Sequence, residues 1–247
     1  MISVCIATHN GARFVAEQLR SIMNQLHAGD EVIVSDDGST DNTLKIISSL
    51  NDNRIHLYRY NRPATSYTGK LRDCYYIRGN FENALRHAQG DYIFLADQDD
   101  LWLPSKVDRM VSALADCDMA ICDCRVADSA LNVIDGSFLQ GRRLTDNVWH
   151  YIARTYFLGC TMAFTKHFLE KALPFPDLPL THDAWLLLVS TRGFRFATIR
   201  EPLMIYRRHD GNVSSATRKS TNPFSFKLKY RWYMLLGHIL HAKKITP

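Results

Sequence analysis

Hydrophobic and polar positions follow two alternating patterns along the first hundred residues. Short β-prone runs predict strands, and they span 2–7, 31–35, 55–60 and 91–96. Segments with apolar residues three or four positions apart predict helices, and they span 14–23, 43–50 and 81–88. Strand and helix in alternation predict an α/β fold with a mostly parallel sheet flanked by helices. Right-handed crossovers then bring the loops that follow the strands to one edge of the sheet.

The loops and helix ends of this half are less strongly patterned. No apolar period holds over 61–76, and the proline and glycine there favour a loop. Gly90 is expected to end the helix over 81–88. Ser39 or Thr40 suits the N-cap of the helix over 43–50, because a hydroxyl can accept from the first free backbone N–H groups.

The second half of the chain predicts further elements and a tail. Helices are expected over 105–114, 184–190 and 224–242, and strands over 119–126 and 203–206. We expect an acceptor-side loop at 135–148, core at 151–164 and a linker at 214–222. These elements predict one domain over 1–215, followed by a basic, amphipathic helical tail over 216–247.

The run that begins at residue 91 ends in the carboxylates of Asp97, Asp99 and Asp100. Ligands of open α/β sheets bind at the carboxyl ends of the strands. Like charges this close repel one another unless a cation lies between them, and Mg²⁺ or Mn²⁺ prefers such oxygen ligands. The sequence therefore predicts a metal and phosphate site here, with a solvated acidic turn as the alternative.

Charge separates the body of the protein from its tail. The chain has 247 residues, 46% hydrophobic and 22% charged, with a formal net charge of +5. Residues 211–247 hold seven lysines and arginines and no acid, so the remainder is slightly acidic. This distribution argues against a nucleic-acid-binding body and favours a tail that meets an anionic partner.

The cysteines and the apolar segments bear on the cellular compartment. Six cysteines lie mostly in apolar runs, and the spacing of Cys117, Cys122 and Cys124 lacks the paired motif of a zinc site. The chain starts directly on a strand, and no apolar stretch approaches the roughly 20 residues of a membrane span. We expect a cytoplasmic protein with free thiols.

Five motifs together resemble the family 2 glycosyltransferases, which bind nucleotide sugars with the GT-A fold. The motifs are Ile-Ala-Thr-His-Asn-Gly at 6–11, Ser-Asp-Asp-Gly-Ser-Thr-Asp at 35–41, Asn-Phe-Glu-Asn-Ala-Leu at 80–85, Gly-Asp-Tyr at 90–92 and Asp-Gln-Asp-Asp-Leu-Trp at 97–102. Each motif is weak alone, but their order and spacing are specific. The last motif is most similar to the rhamnosyltransferase-type branch.

The resemblance implies a set of nucleotide contacts. Asp37 would accept from the pyrimidine N3–H, a role that suits a carboxylate because the base has one imide donor. Thr8 would contact the base, and Asn10 lies in the same loop. Asp97 would meet the ribose or the metal.

The resemblance also implies the metal and diphosphate contacts. Asp99 would coordinate the Mn²⁺ or Mg²⁺ that bridges the diphosphate, and Asp100 is a further donor or phosphate contact. Arg78 would add a phosphate contact, with a solvated surface arginine as the alternative.

Two later segments complete the implied site. Asp183 occupies the position of the family's catalytic base, with His182 beside it as a donor or phosphate contact; a helix cap or a partner of the helix dipole is the alternative for Asp183. His209 would be a metal ligand or diphosphate contact, and Arg207 a phosphate partner. A basic loop is the alternative for both.

The predicted helix over 224–242 places Leu228, Trp232, Leu235, Leu236 and Ile239 on one side. A basic amphipathic helix with aromatic residues suits an anionic membrane surface. Docking on the protein body or on a second copy, as a homodimer, is the competing interpretation.

The function that the resemblance implies is a metal-dependent inverting glycosyltransferase. It would transfer a sugar, with rhamnose as one option, from a UDP- or dTDP-sugar to a hydroxyl of a growing cell-surface glycan that is lipid-linked, at the inner face of the plasma membrane. A sugar nucleotidyltransferase would need a Gly-rich phosphate loop near the amino end, which 7–13 lacks. A non-catalytic nucleotide-sugar-binding module would lack the metal and base carboxylates.

Overall fold

A computed structural model describes residues 1–142, 147–153, 158–209 and 222–242, with residues 241 and 242 described by their backbone alone. The strands are β1 (Ile2–Thr8), β2 (Glu31–Asp36), β3 (Ile55–Arg59), β4 (Tyr92–Asp97), β5 (Leu101–Trp102), β6 (Met119–Ala127), β7 (Val133–Asp135), β8 (Met162–Thr165) and β9 (Phe196–Arg207). The helices are α1 (Val15–Met23), α2 (Thr43–Ser49), α3 (Gly69–Leu85), α4 (Lys106–Leu114), α5 (Val148–Ala153), α6 (Lys166–Ala172), α7 (His182–Ser190) and α8 (Phe224–Ala242).

One nine-stranded sheet runs through the described residues in the order β3-β2-β1-β4-β8-β6-β9-β5, with β7 paired to β6. The first four strands are parallel to one another, as predicted. The second half makes the sheet mixed, because β8 is antiparallel to β4 and β6, whereas β9 is parallel to β6. The α/β prediction is confirmed.

The side chains of β4 alternate between two apolar clusters, one on each face of the sheet. Phe94 and Ala96 pack with residues of α1, α2 and α4. Ile93 and Leu95 pack with residues of α3, α6 and α7 on the other face. A strand covered on both faces has to be apolar throughout, which explains the uninterrupted run that precedes the carboxylates.

The loop predicted over 61–76 is wrong from residue 69 onward, because α3 begins there. This helix buries Arg78, Asn80 and Glu82 as well as apolar residues. Buried polar side chains interrupt the apolar period from which a helix is predicted. The helix therefore starts twelve residues earlier than its apolar residues indicate.

The predicted cap residues of α2 are also wrong. Its N-cap is Asn42, which makes no side-chain capping bond. The side chain that accepts from the start of this helix is Asp41, which bonds the Thr43 backbone N–H at 2.9 Å. Ser39 is directed to Asp36, to which its backbone N–H donates. The sequence pattern identified the polar loop before α2, but it did not identify which side chain of the loop bonds to the backbone of the helix.

Helix α8 has the predicted bounds and packs against α3, α5 and α7. The proposed domain boundary and most of the predicted linker fall outside the described residues. So do parts of the predicted acceptor-side loop and of the 151–164 segment. None of the described helices is both long and apolar enough to cross a membrane. All six cysteines are buried free thiols.

Gly90 does not end a helix, because α3 ends at Leu85 with Arg86 as its C-cap. Its backbone N–H donates to the Ser3 hydroxyl at 2.7 Å. A Cβ added at Gly90 would lie 2.7 Å from the Ser3 backbone nitrogen and 2.9 Å from the Ile2 carbonyl carbon. Gly90 therefore allows the chain entering β4 to pass close to β1.

We expect Gly90→Ala to lower the free energy of unfolding by about 1 to 3 kcal/mol, because the new methyl group meets backbone that cannot move away cheaply. Chemical denaturation of the two proteins measures the difference. Gly136→Ala is the matched control, since nothing lies within 4 Å of the Cβ it would add. Equal losses in the two variants would contradict the packing role.

Candidate active site

The loops after β1 and β2 are joined by side-chain hydrogen bonds at the carboxyl edge of the sheet. The Thr8 hydroxyl donates to Asp36 at 2.9 Å, and the Ser39 hydroxyl donates to the same carboxylate at 2.6 Å. Asn10, in the left-handed region at φ 49°, accepts from the Thr40 N–H at 2.8 Å. Thr8 and Asn10 thus hold the shape of the predicted nucleotide loop, and Thr8 is 1% exposed.

The Asp37 carboxylate, predicted to accept from the base, is bonded to a guanidinium. Arg62 donates through Nε to one oxygen at 2.6 Å and through a terminal nitrogen to the other at 2.9 Å. The guanidinium also lies 4.8 Å from the ring centroid of Tyr76. Arg62 was not predicted as a site residue, because it lies in a segment without any pattern. A pyrimidine base that binds Asp37 has to displace this guanidinium or share the carboxylate with it.

Three carboxylates lie at the end of β4 and directly after it, and two of them lie close to a thiol. Ligand atoms of Asp97, Asp100 and Cys160 all lie within 4.8 Å of one another. Burial, followed by the charges of Asp99 and Asp183, raises the pKa of Asp97 to about 7. Burial, followed by the charges of Asp99 and Asp97, raises the pKa of Asp100 well above its usual range. The site holds more negative charge than its described surroundings stabilise.

Asp100 lies under the site rather than in it. It is fully buried, and it accepts from the Arg207 backbone N–H at 3.0 Å. Its second oxygen has no hydrogen-bond partner among the described residues. With no exposed surface, Asp100 is placed to hold the end of β9 rather than to contact a donor.

The two predicted metal ligands lie side by side. His209 Nε2 is 2.7 Å from an Asp99 carboxylate oxygen, and both side chains are mostly buried. They come together because β5 pairs with β9, so that the chain after β4 meets the chain after β9. The carboxylate oxygens of Asp97 and Asp99 and the imidazole of His209 form a donor set that fits Mn²⁺ or Mg²⁺.

A buried lysine that the sequence analysis missed lies near the carboxylates. Lys106 is fully buried, and its ammonium donates to the Cys160 carbonyl at 2.8 Å. Its charge acts to lower the pKa of Asp97, against the larger effects of burial and neighbouring acids. The spacing of 106, 110 and 114 on the buried face of α4 was the available signal.

Both predicted phosphate-binding arginines are engaged by protein groups. Arg78 is 6% exposed, so the surface alternative for it is wrong. It donates to the Pro176 carbonyl and lies 4.6 Å from the ring centroid of Tyr75. Arg207 is 4% exposed and donates to the Glu17 carboxylate. Contact with a phosphate would require either guanidinium to change partners.

Asp183 is in the first turn of α7, but Thr181 holds the N-cap position. Asp183 accepts from the adjacent Ala184 N–H at 2.8 Å. Its charge contributes to the raised pKa of Asp97, and also to the raised pKa values of Cys74 and Tyr230. Asp183 is therefore not the N-cap, but its place in the first turn is also that of a partner of the helix dipole.

The neighbouring His182 is buried, with its ring stacked on Phe81 at a centroid distance of 3.6 Å. Neither ring nitrogen has a partner among the described residues, and burial lowers the pKa of His182 to about 4. A Cβ at Gly159 would lie 2.1 Å from Nε2, so the glycine makes room for the imidazole. His182 is therefore a neutral side chain packed behind Asp183.

The fold agrees with comparisons to known proteins. The chain belongs to glycosyl transferase family 2, whose model matches residues 3–171. The dTDP-rhamnosyl transferase RfbG of Shigella flexneri is 29% identical over 263 residues, covering 98% of this chain and 82% of that protein. The UDP-Glc:alpha-D-GlcNAc-diphosphoundecaprenol beta-1,3-glucosyltransferase WfgD of Escherichia coli is 23% identical over 236 residues, covering 95% and 85%.

Solved structures share the fold at lower identity. S. aureus TarS 1-349 in complex with UDP-GlcNAc matches with a TM-score of 0.64 and 19% identity, over 95% of this chain and 66% of that one. The mannosyltransferase PcManGT from Pyrobaculum calidifontis, in complex with GDP-Man and Mn2+, matches with a TM-score of 0.60 and 20% identity, over 100% and 65%. The chain thus spans less than two thirds of these two structures. The molecule is a family 2 glycosyltransferase with a GT-A-like α/β fold.

We expect the metal-free protein to lose stability as pH rises from about 4 to about 7. The pKa of Asp97 is raised in the fold, so the folded state holds its proton more tightly than the unfolded chain does, and that stabilisation is lost on ionisation. Denaturation in a chelator at pH 5, 6.5 and 8 should show a decline that is at least about 1 kcal/mol smaller in Asp97→Asn. Mn²⁺ should restore much of the parent's stability at pH 8. Parallel pH profiles of the two proteins would contradict this account.

Proposed function

We propose that this protein is a metal-dependent inverting glycosyltransferase that uses a UDP- or dTDP-sugar. The observation that carries this proposal is the contact of Asp99 with His209 just after the end of β4, together with the charge of Asp183, which acts on neighbouring Asp97. A metal and diphosphate site next to a separate carboxylate provides the two functions that sugar transfer needs: charge stabilisation and a proton acceptor. Family membership supports the same reaction class.

The nucleotide would bind across the loops after β1 and β2. Asp37 would accept from the N3–H of uracil or thymine, with Thr8 and Asn10 shaping the loop beneath it. Arg62 would leave the carboxylate or turn to a carbonyl oxygen of the base. The dTDP in the name of RfbG and the UDP in the name of WfgD support a pyrimidine donor. The RfbG name further supports rhamnose as the sugar.

Asp99 and His209 would hold the metal, with Asp97 beside them as a ligand or ribose contact. When bound, Mn²⁺ or Mg²⁺ would neutralise the charge that develops on the leaving nucleoside diphosphate. Asp100 would keep the backbone of Arg207, and with it His209, in place. The Mn2+ in the PcManGT complex supports a divalent ion in this fold.

Asp183 would accept the proton of the acceptor hydroxyl as its oxygen attacks the anomeric carbon. An ordinary aspartate is ionised at neutral pH and can act as this base. Neutral His182 behind it adds no charge that would compete for the proton. One in-line displacement by the hydroxyl inverts the anomeric configuration.

The acceptor that we propose is a hydroxyl of a growing, lipid-linked glycan, with the protein at the inner face of the plasma membrane. The diphosphoundecaprenol in the name of WfgD supports a lipid-linked acceptor. A homodimer is compatible with this assignment but is not needed for it.

We expect Asp183→Asn to lower turnover about 10²- to 10⁴-fold while donor binding and melting temperature stay near those of the parent, because only the proton acceptor is lost. Nucleotide release, calorimetry of UDP and dTDP with Mn²⁺, and thermal melting measure the three quantities. Asp116→Asn is the control, an exposed acid before the amino end of β6, at the opposite edge of the sheet. Turnover close to that of the control would sink the catalytic assignment.

A further inference from the structure

Helix α8 is attached to the protein body by one of its faces. Met234 on this face is 1% exposed. The Tyr230 hydroxyl accepts from the Thr181 N–H at 3.1 Å and is 2.8 Å from the Thr181 hydroxyl. At Gly237 an added Cβ would lie 3.2 Å from Leu180, so the helix backbone comes close to the segment that enters α7. This face of α8 therefore docks on the protein body, which was one of the interpretations of the predicted helix.

The opposite face of α8 exposes a second set of large apolar side chains. Phe224 is 75% exposed, Leu228 59%, Trp232 61% and Ile239 48%. Their spacing of four and seven residues places them within an arc of about 80° on a helix. Trp149 of α5, 62% exposed, extends this set, since its ring is near His238 of α8. These five residues are called the outer stripe.

Exposed apolar side chains are concentrated in the outer stripe. Ten large apolar side chains are exposed among the described residues, and five of them form the stripe. A sixth, Leu240, follows on the same helix. Single exposed apolar residues are ordinary, but a contiguous row with basic neighbours indicates an interaction surface.

Positive charge flanks the stripe. Arg231 lies on one side of its arc and Lys229 on the other, and both are exposed. No aspartate or glutamate occurs from 211 to 247 in the sequence. The surface therefore combines apolar, tryptophan-containing and cationic groups without an acid on its own helix.

We propose that the outer stripe inserts into the interfacial region of an anionic lipid bilayer, with Lys229 and Arg231 at the headgroups. Tryptophan is favoured at the membrane interface, and basic residues beside an apolar helix face are attracted to anionic lipids. A symmetric contact between two copies of α8 would bring cations together without an acid of the helix to pair with them. The helix lies on the bilayer rather than crossing it, since no described helix is suited to span one.

This surface has a fixed relation to the proposed catalytic base. Tyr230 of α8 is bonded to Thr181, the N-cap of α7, and Asp183 is in the first turn of the same helix. The side of the site where an acceptor would meet Asp183 is therefore joined directly to the membrane-binding helix. This orientation rests on the proposed function, whereas lipid binding by the stripe does not.

The test is sedimentation of the full chain with vesicles of phosphatidylcholine alone or mixed with phosphatidylglycerol. We expect binding to the anionic vesicles, weakened by salt. The double variant Leu228→Ser with Trp232→Ser should bind them about tenfold more weakly or worse, because it loses two inserted side chains. Val133→Ser with Ile134→Ser is the matched control, since both residues are over 50% exposed on β7. Lys229→Glu should reduce binding to the anionic vesicles alone.

Three results would overturn the inference. They are no binding of the parent to anionic vesicles, equal losses in the stripe and control variants, and a concentration-dependent dimer that the stripe variant abolishes without any vesicle binding by the parent. Light scattering on the same proteins detects the dimer. UDP and dTDP binding with Mn²⁺ should be unchanged in the stripe variant. A parent that binds vesicles but no nucleotide would instead count against the proposed function.

Discussion

Repulsion among the carboxylates at the end of β4 is the constraint on which the site depends. Asp97, Asp99 and Asp100 follow a strand covered on both faces, so their charges are held where water screens them poorly. Buried Lys106 and the Arg207 amide offset part of this charge, and the raised pKa of Asp97 shows that the offset is incomplete. We propose that a divalent cation that brings a diphosphate completes the balance, because the repulsion that destabilises the metal-free protein favours cation binding.

The two halves of the sheet contribute different parts of this arrangement. Parallel strands β1, β2 and β4 bring three loops to one edge, which forms the region proposed for the nucleotide. The antiparallel pairing of β5 with β9 then returns the chain, placing His209 against Asp99. Helix α7 adds Asp183 from a third direction, and Tyr230 of α8 holds the start of that helix. The proposed metal ligands, the proposed base and the outer stripe thus belong to one connected structure.

The parts predictable from the sequence were those in which burial follows a period. Strands β1 to β4 and β6, helix α8 and the acids after β4 were predicted because apolar alternation or an apolar run marks them. Strands β5, β7 and β8 were not predicted, and of β9 only the last part was. Helix α3 was largely missed, since Arg78 is buried in it and breaks the pattern. Lys106 was overlooked and Arg62 could not be anticipated, because a buried lysine or a loop arginine gains its role from partners distant in sequence. Long-range partners also explain why Asp100 and Arg207 were assigned to ligand contacts although both are buried.

The central claim is that the carboxylates after β4 and the end of β9 form one divalent metal site for a nucleoside diphosphate. Anomalous diffraction at the manganese edge, from crystals grown with Mn²⁺ and either UDP or dTDP, tests it most directly. The account predicts one strong peak within bonding distance of the Asp99 carboxylate and the His209 ring, bridged to the diphosphate, with the base at Asp37. A nucleotide bound at this edge with no manganese near Asp99, or manganese and nucleotide bound elsewhere on the protein, would contradict it.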